Sequence, residues 1–111
     1  MKIILCPQGE PARVVEICNE LTEMQSIVGG YIEAVPVTRG VVMICNEEGK
    51  LLKECKPNRR VAFRCPDEII YGDFFFCGED EEDLTDVPKW SEQALLTIFR
   101  NPAFDKNGKK I

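Results

Sequence analysis

The stretch from Gly29 to Lys50 constrains the fold more than any other part of the chain. Tyr31-Ile32-Glu33-Ala34-Val35-Pro36-Val37 and Val41-Val42-Met43-Ile44-Cys45 are two apolar, β-branched runs joined by Thr38-Arg39-Gly40. Such side chains suit a pleated surface and Gly40 supplies the positive φ of a tight reversal, so the stretch predicts an antiparallel hairpin. Asn46-Glu47-Glu48-Gly49-Lys50 predicts a second reversal with Gly49 left-handed, giving a meander over residues 31–54. Pro36 cannot donate to a ladder, which puts the first strand at a sheet edge or Pro36 at a bulge. Val41 to Cys45 lacks polar alternation, as a central strand covered on both faces should.

The remaining segments suggest what covers that meander. Residues 2–6 form a short apolar run that ends at Pro7, consistent with a buried strand. Between residues 12 and 28, Val14, Ile17, Cys18, Leu21, Met24 and Val28 recur at helical steps, and Gly29-Gly30 offers a C-terminal cap. Residues 53–60 read as a loop and carry the only basic concentration in the chain. Residues 69–77 predict a strand pair or one bulged strand, with Gly72 at the irregularity. The acidic run 79–83 reads as a solvated connection to a helix over about 88–100, whose apolar face is Trp90, Ala94, Leu95, Ile98 and Phe99. The expectation is one α+β domain over 1–102, an antiparallel sheet carrying two helices, followed by a polar tail over 103–111.

Composition excludes several functions. A chain of 111 residues with 44% apolar content can bury one core. Its net charge of −5 argues against direct nucleic-acid binding, and no apolar run is long enough to span a membrane. No export signal is evident, so the expected location is cytoplasmic and the six cysteines are expected to be reduced and mostly buried. Their spacing fits no zinc site, and the Asp105-Lys106-Asn107-Gly108 run lacks the rest of a calcium loop. The chain has no histidine, which removes the Ser-His-Asp and Cys-His nucleophile systems. No metal, cofactor or enzymatic activity is expected.

Four motifs occur in order: Val28-Gly29-Gly30-Tyr31-Ile32-Glu33, Ile44-Cys45-Asn46-Glu47-Glu48-Gly49-Lys50-Leu51, Pro57-Asn58-Arg59, and Ile70-Tyr71-Gly72-Asp73-Phe74 with Cys77-Gly78. Together they resemble a family of small proteins, classified only as a domain of unknown function, encoded by phages, plasmids and conjugative elements of Firmicutes and related gut bacteria. The resemblance runs from the first strand to the last helix. The Lys53 to Lys56 insertion and the acidic run after Gly78 depart from its pattern. It implies a genomic setting in which small, non-catalytic proteins blunt host defence by trapping a nucleotide signal or binding a defence protein.

Two readings follow. Arg39, Asn46, Lys50, Asn58, Arg59 and Arg60 lie in expected turns and loops, where their donors could converge on a small anionic, nucleotide-like ligand. Alternatively, Glu79, Asp80, Glu81, Glu82 and Asp83, within the acidic stretch 79–86, or an exposed strand edge, could block a host nucleic-acid-binding protein. The edge strand also allows a homodimer paired across a two-fold axis.

Overall fold

The computed structural model describes residues 1–111. Ten elements follow in order: β1 (Lys2–Cys6), β2 (Arg13–Glu16), α1 (Leu21–Val28), β3 (Ile32–Thr38), β4 (Val41–Asn46), β5 (Pro57–Val61), β6 (Glu68–Tyr71), β7 (Phe74–Asp80), β8 (Asp83–Thr85) and α2 (Lys89–Ile98). Six strands form one antiparallel sheet in the order β2-β1-β7-β4-β3, with β8 also paired to β7, while β5 and β6 form a separate ribbon. The fold is α+β, and no helix is long and apolar enough to cross a membrane.

The sheet is covered on both faces, and the two-residue period of its strands sorts the apolar side chains between two cores. On one face, Ile4, Cys6, Val35, Val41, Met43, Cys45, Phe74 and Phe76 pack with Val61 and Ile70 of the ribbon and Leu95 and Phe99. The Phe76 ring sits 4.9 Å from that of Phe99 and 6.0 Å from that of Phe63, which ties α2 and the ribbon to the sheet. On the other face, Ile3, Val42, Ile44, Phe75 and Cys77 pack with Met24 and Val28 of α1. The unbroken apolar run Phe74-Phe75-Phe76-Cys77 is thus explained: each of the four is fully buried, two to each core. Val41 to Cys45 is likewise buried throughout, three residues to one core and two to the other, as its sequence predicts.

Several expected elements are replaced. The helix expected over 12–28 is α1 alone, preceded by β2. Val14 and Val15 are β-branched, and pairing with β1 extends through Met1 and Ile17, which exchange backbone hydrogen bonds, so a non-local ladder overrides the helical spacing. Gly29 still ends the helix, left-handed at φ 82° with its N–H on the Gln25 carbonyl. The expected meander loses its third strand to a single 3-10 turn at Gly49–Leu51. Gly49 is not left-handed; a Cβ there would stand 2.9 Å from the Tyr71 carbonyl oxygen, so close approach of two chains requires it. The basic loop over 53–60 is in part strand β5. Residues 69–77 are two strands separated by Gly72, but not a pair: β6 joins the ribbon while β7 takes the centre of the main sheet.

The acidic connection is the β7–β8 hairpin. Residues 103–111, expected as a polar tail, fold back. The Ala103 N–H donates to the Asn58 carbonyl, Phe104 is buried, and Asp105 Oδ1 accepts the N–H groups of Asn107 and Lys109.

Two local features set the geometry around the site. β3 is an edge strand, one of the two placements Pro36 allows. The Glu47 N–H donates to the Tyr31 carbonyl, so by alternation Tyr31, Glu33 and Val35 direct their backbone groups to β4 and Ile32, Ala34 and Pro36 direct theirs outward. The missing N–H of Pro36 therefore falls on the open edge, and a register shift follows between Pro36 and Thr38. At Gly78 the chain leaving β8 crosses close over the sheet on its way to α2. A Cβ there would lie 2.2 Å from the Asp86 carbonyl oxygen. Gly78→Ala is expected to lower unfolding free energy by about 1–3 kcal/mol through overpacking against backbone. Urea denaturation checks this; an unchanged midpoint would contradict the crossing.

Candidate functional site

Asn58 and Arg59 lie at the centre of the chain's connections. β5 places both in the interior, at 0% and 2% exposure. The Arg59 guanidinium donates to four backbone carbonyls: Nε to Phe99 at 2.8 Å, one terminal nitrogen to Pro7 at 3.0 Å, and the other to Glu10 at 2.8 Å and Arg100 at 3.3 Å. It also donates to Asn58 Oδ1 at 2.6 Å. The Asn58 amide nitrogen in turn donates to the carbonyls of Cys6 and Gly72, both at 2.8 Å. Phe99 and Arg100 follow α2 without a glycine cap; Arg59 supplies from a distant strand a donor for the Phe99 carbonyl and shares the Arg100 carbonyl with the Ala12 N–H. No carboxylate pairs with Arg59. Burial lowers its pKa, while Cys6 and Asp73 act in the opposite direction.

The other basic and amide residues expected at a ligand site are dispersed. Arg39 is exposed in the β3–β4 turn, at the opposite end of β4 from Asn46. The Asn46 amide nitrogen caps the Val28 carbonyl of α1 at 3.0 Å, and its Oδ1 accepts the Glu48 N–H at 2.7 Å. Asn46 and Lys50 share a recess of about 360 Å³ with Glu33, Glu47, Glu48, Arg64 and Glu68. Arg64 bridges Glu33, at 2.9 Å, and Glu68 there, and these hydrogen bonds raise its pKa, that to Glu68 foremost. Four carboxylates against two cations make this recess unsuited to an anion. Arg60 pairs with Asp67 at 3.1 Å and lies 5.6 Å over the Phe104 ring. Arg39, Asn46, Lys50, Asn58, Arg59 and Arg60 therefore do not meet in one cavity.

The acidic residues, by contrast, share one exposed element. Glu79 and Asp80 end β7, Glu81 is left-handed at φ 60° in the turn with Glu82, and Asp83 opens β8 opposite Asp80. All five are exposed and none takes part in an ion pair. The Glu79 N–H donates to the Gly40 carbonyl at 3.0 Å, fixing the root of the hairpin against the β3–β4 turn.

Beside that turn lies an apolar groove of about 600 Å³, the largest on the molecule. Val37 and Thr38 of β3 form one wall, Trp90, Ala94 and Ile98 of α2 the other, and Val61, Phe63 and Phe99 line it between. The expected apolar face of α2 is in fact two stripes. Leu95 and Phe99 enter the core, whereas Trp90 and Ile98 are 67% and 69% exposed. The width of that face, four apolar residues on a ten-residue helix with Phe99 just beyond it, was the available signal.

The six thiols are free, and three of them, Cys6, Cys45 and Cys77, are buried. Burial pushes Cys6 and Cys77 up to about 12 and Cys45 up to about 11, which keeps them protonated and unreactive. No three Cys, Asp or Glu side chains group in a way that could hold a metal ion.

The family model described as Domain of unknown function (DUF3846) matches residues 1–100. The chain belongs to this family. No curated protein and no solved structure matches it. Within the DUF3846 span lie the Asn58–Arg59 clamp, the acidic hairpin and the groove; residues 101–111, which fold back along β5, lie outside it.

Two outcomes are expected. Arg59→Lys keeps a charge but loses the planar fork, leaving buried carbonyls without donors, and should cost at least about 3 kcal/mol in urea denaturation. Retained stability would show that the clamp is dispensable. For the thiols, an unfolded cysteine ionises near 9 while Cys6 and Cys77 ionise near 12 in the fold. Stability from these groups is thus complete below pH 9 and falls as pH rises toward 12, by about 1.4 kcal/mol per pH unit per thiol. Urea midpoints from pH 8 to 11 should show that fall, shallower in Cys77→Ala; identical slopes would contradict it.

Proposed function

We propose that the protein is a non-catalytic binding protein whose target is another protein with a basic surface. The observation that carries this reading is the β7–β8 hairpin, which presents Glu79, Asp80, Glu81, Glu82 and Asp83 on fixed backbone without an internal cation. Fixed, unneutralised charge accelerates encounter with a complementary surface and disfavours partners of like charge. The small-anion reading loses support because Asn58 and Arg59 direct their donors to backbone and the remaining cations are scattered. A protein that binds nucleic acid bears the kind of basic surface the hairpin suits, and the net charge of −5 fits a competitor of nucleic acid rather than a ligand for it. The phage and mobile-element setting that the sequence resemblance implies gives such a protein a use in counter-defence, by occupying a host protein.

The test is capture of heparin-retained host proteins by the full chain and by a variant carrying Glu79→Gln, Asp80→Asn, Glu81→Gln, Glu82→Gln and Asp83→Asn. The wild-type chain should capture a partner in a salt-sensitive manner and the variant should lose roughly tenfold or more in affinity. Equal capture by both would overturn the reading.

A further inference from the structure

We infer that the partner seats an amphipathic α-helix in the groove between α2 and β3, with the helix's basic flank toward Asp80 and Asp83; this rests on the partner-protein reading above. The groove's shape suits a helix. Trp90, Ala94 and Ile98 stand at i, i+4 and i+8 on α2, an exposed ridge roughly 12 Å long, which matches about two turns of a helix laid alongside. The space of about 600 Å³ takes the few apolar side chains that one face of such a helix offers.

Backbone chemistry favours a helix over an extended segment. An extended segment would have to add to the open edge of β3, but Pro36 offers no N–H there and the register shifts between Pro36 and Thr38, where the groove begins. A helix satisfies its own backbone and needs no such ladder.

Charge orients the occupant. By register, Asp80 and Asp83 occupy the sheet face that carries Phe74 and Phe76, which is the face α2 and the groove lie on, and Glu79 occupies the opposite one. The hairpin root is bonded at Gly40, two residues beyond Thr38 in the groove wall. Among the groove's own residues the only charges are the mutually paired Arg60 and Asp67. Beside it stand two unpaired cations, Arg39 next to Thr38 and Lys89 next to Trp90, against the five unpaired carboxylates of the hairpin, so the hairpin side is acidic and calls for Lys or Arg on the occupant's flank there. The chain's own C-terminus is not that occupant, since it is held along β5 by the Ala103 to Asn58 and Ile111 to Ala103 hydrogen bonds.

A library of linear peptides of about 14 residues, four helical turns, panned on the immobilised full chain, tests this. Enriched peptides should carry apolar residues at i, i+3 or i+4 and i+7 with Lys or Arg between them. Once synthesised, they should gain helical circular dichroism on binding and shift the fluorescence of Trp90, the only tryptophan. Ile98→Glu and Ala94→Arg, both at exposed positions, should weaken binding roughly tenfold or more. Asp80→Asn with Asp83→Asn should slow association and flatten its salt dependence. No enrichment, peptides of alternating apolar period, or binding indifferent to Ile98→Glu would overturn the inference. Self-association of the full chain in sedimentation, abolished by Ile98→Glu, would do so too by assigning the groove to a second copy. Hairpin-dependent capture of host protein that survives Ile98→Glu would defeat the helix alone and leave the partner reading intact.

Discussion

A cation without a counter-ion holds this fold together. Taking the Arg59 guanidinium out of water is costly, and no carboxylate offsets it. What offsets it is a cage of four backbone carbonyls and one amide oxygen, each a charge-assisted hydrogen bond. Those carbonyls belong to the β1–β2 connection and the end of α2, between 40 and 52 residues away in sequence. Without Arg59 the Phe99 and Glu10 carbonyls would lose this donor, while those of Pro7 and Arg100 would keep only the Glu10 and Ala12 N–H groups. Asn58 extends the arrangement to Cys6 and Gly72, so two adjacent side chains close the loops at one end of the sheet.

That closure fixes the end of α2. The helix is anchored by Leu95 and Phe99 in the core and by the bonds from Arg59 to the Phe99 and Arg100 carbonyls. Its outer stripe is thereby left standing beside β3. At the other end of the sheet, Gly78 lets the chain pass from the acidic hairpin to α2 with backbone almost in contact. The candidate binding surface is therefore built from rigid elements, and its apolar and acidic parts have a set relation to one another.

Much of this was readable from local chemistry. Pro36 implied an edge strand or a bulge, Val41 to Cys45 a strand buried on both faces, and Gly29 a helix end, since each depends on backbone geometry or on an apolar run within one segment. Two features were not, because they depend on distant partners. The helical spacing from Val14 onward was genuine, yet pairing with β1 made residues 13–16 a strand. Arg59 read as a loop cation because charge ordinarily marks solvent, and nothing near it in sequence signals carbonyls tens of residues away. The acidic hairpin was legible in composition but not in shape: a charge run does not reveal that Asp80 and Asp83 will share a face across a β-turn. The groove was hidden for a related reason, since an apolar helical face does not say which of its stripes the core will take.

Whether Arg59 is enclosed and structural is tested most directly by the signal of its Nε–H in nitrogen-15 NMR. A single, sharp, slowly exchanging Nε–H resonance, unmoved by millimolar pyrophosphate or nucleotides, is the predicted result. An Nε–H that exchanges rapidly with water, or that shifts on adding such anions, would contradict the account and restore Arg59 to a ligand site.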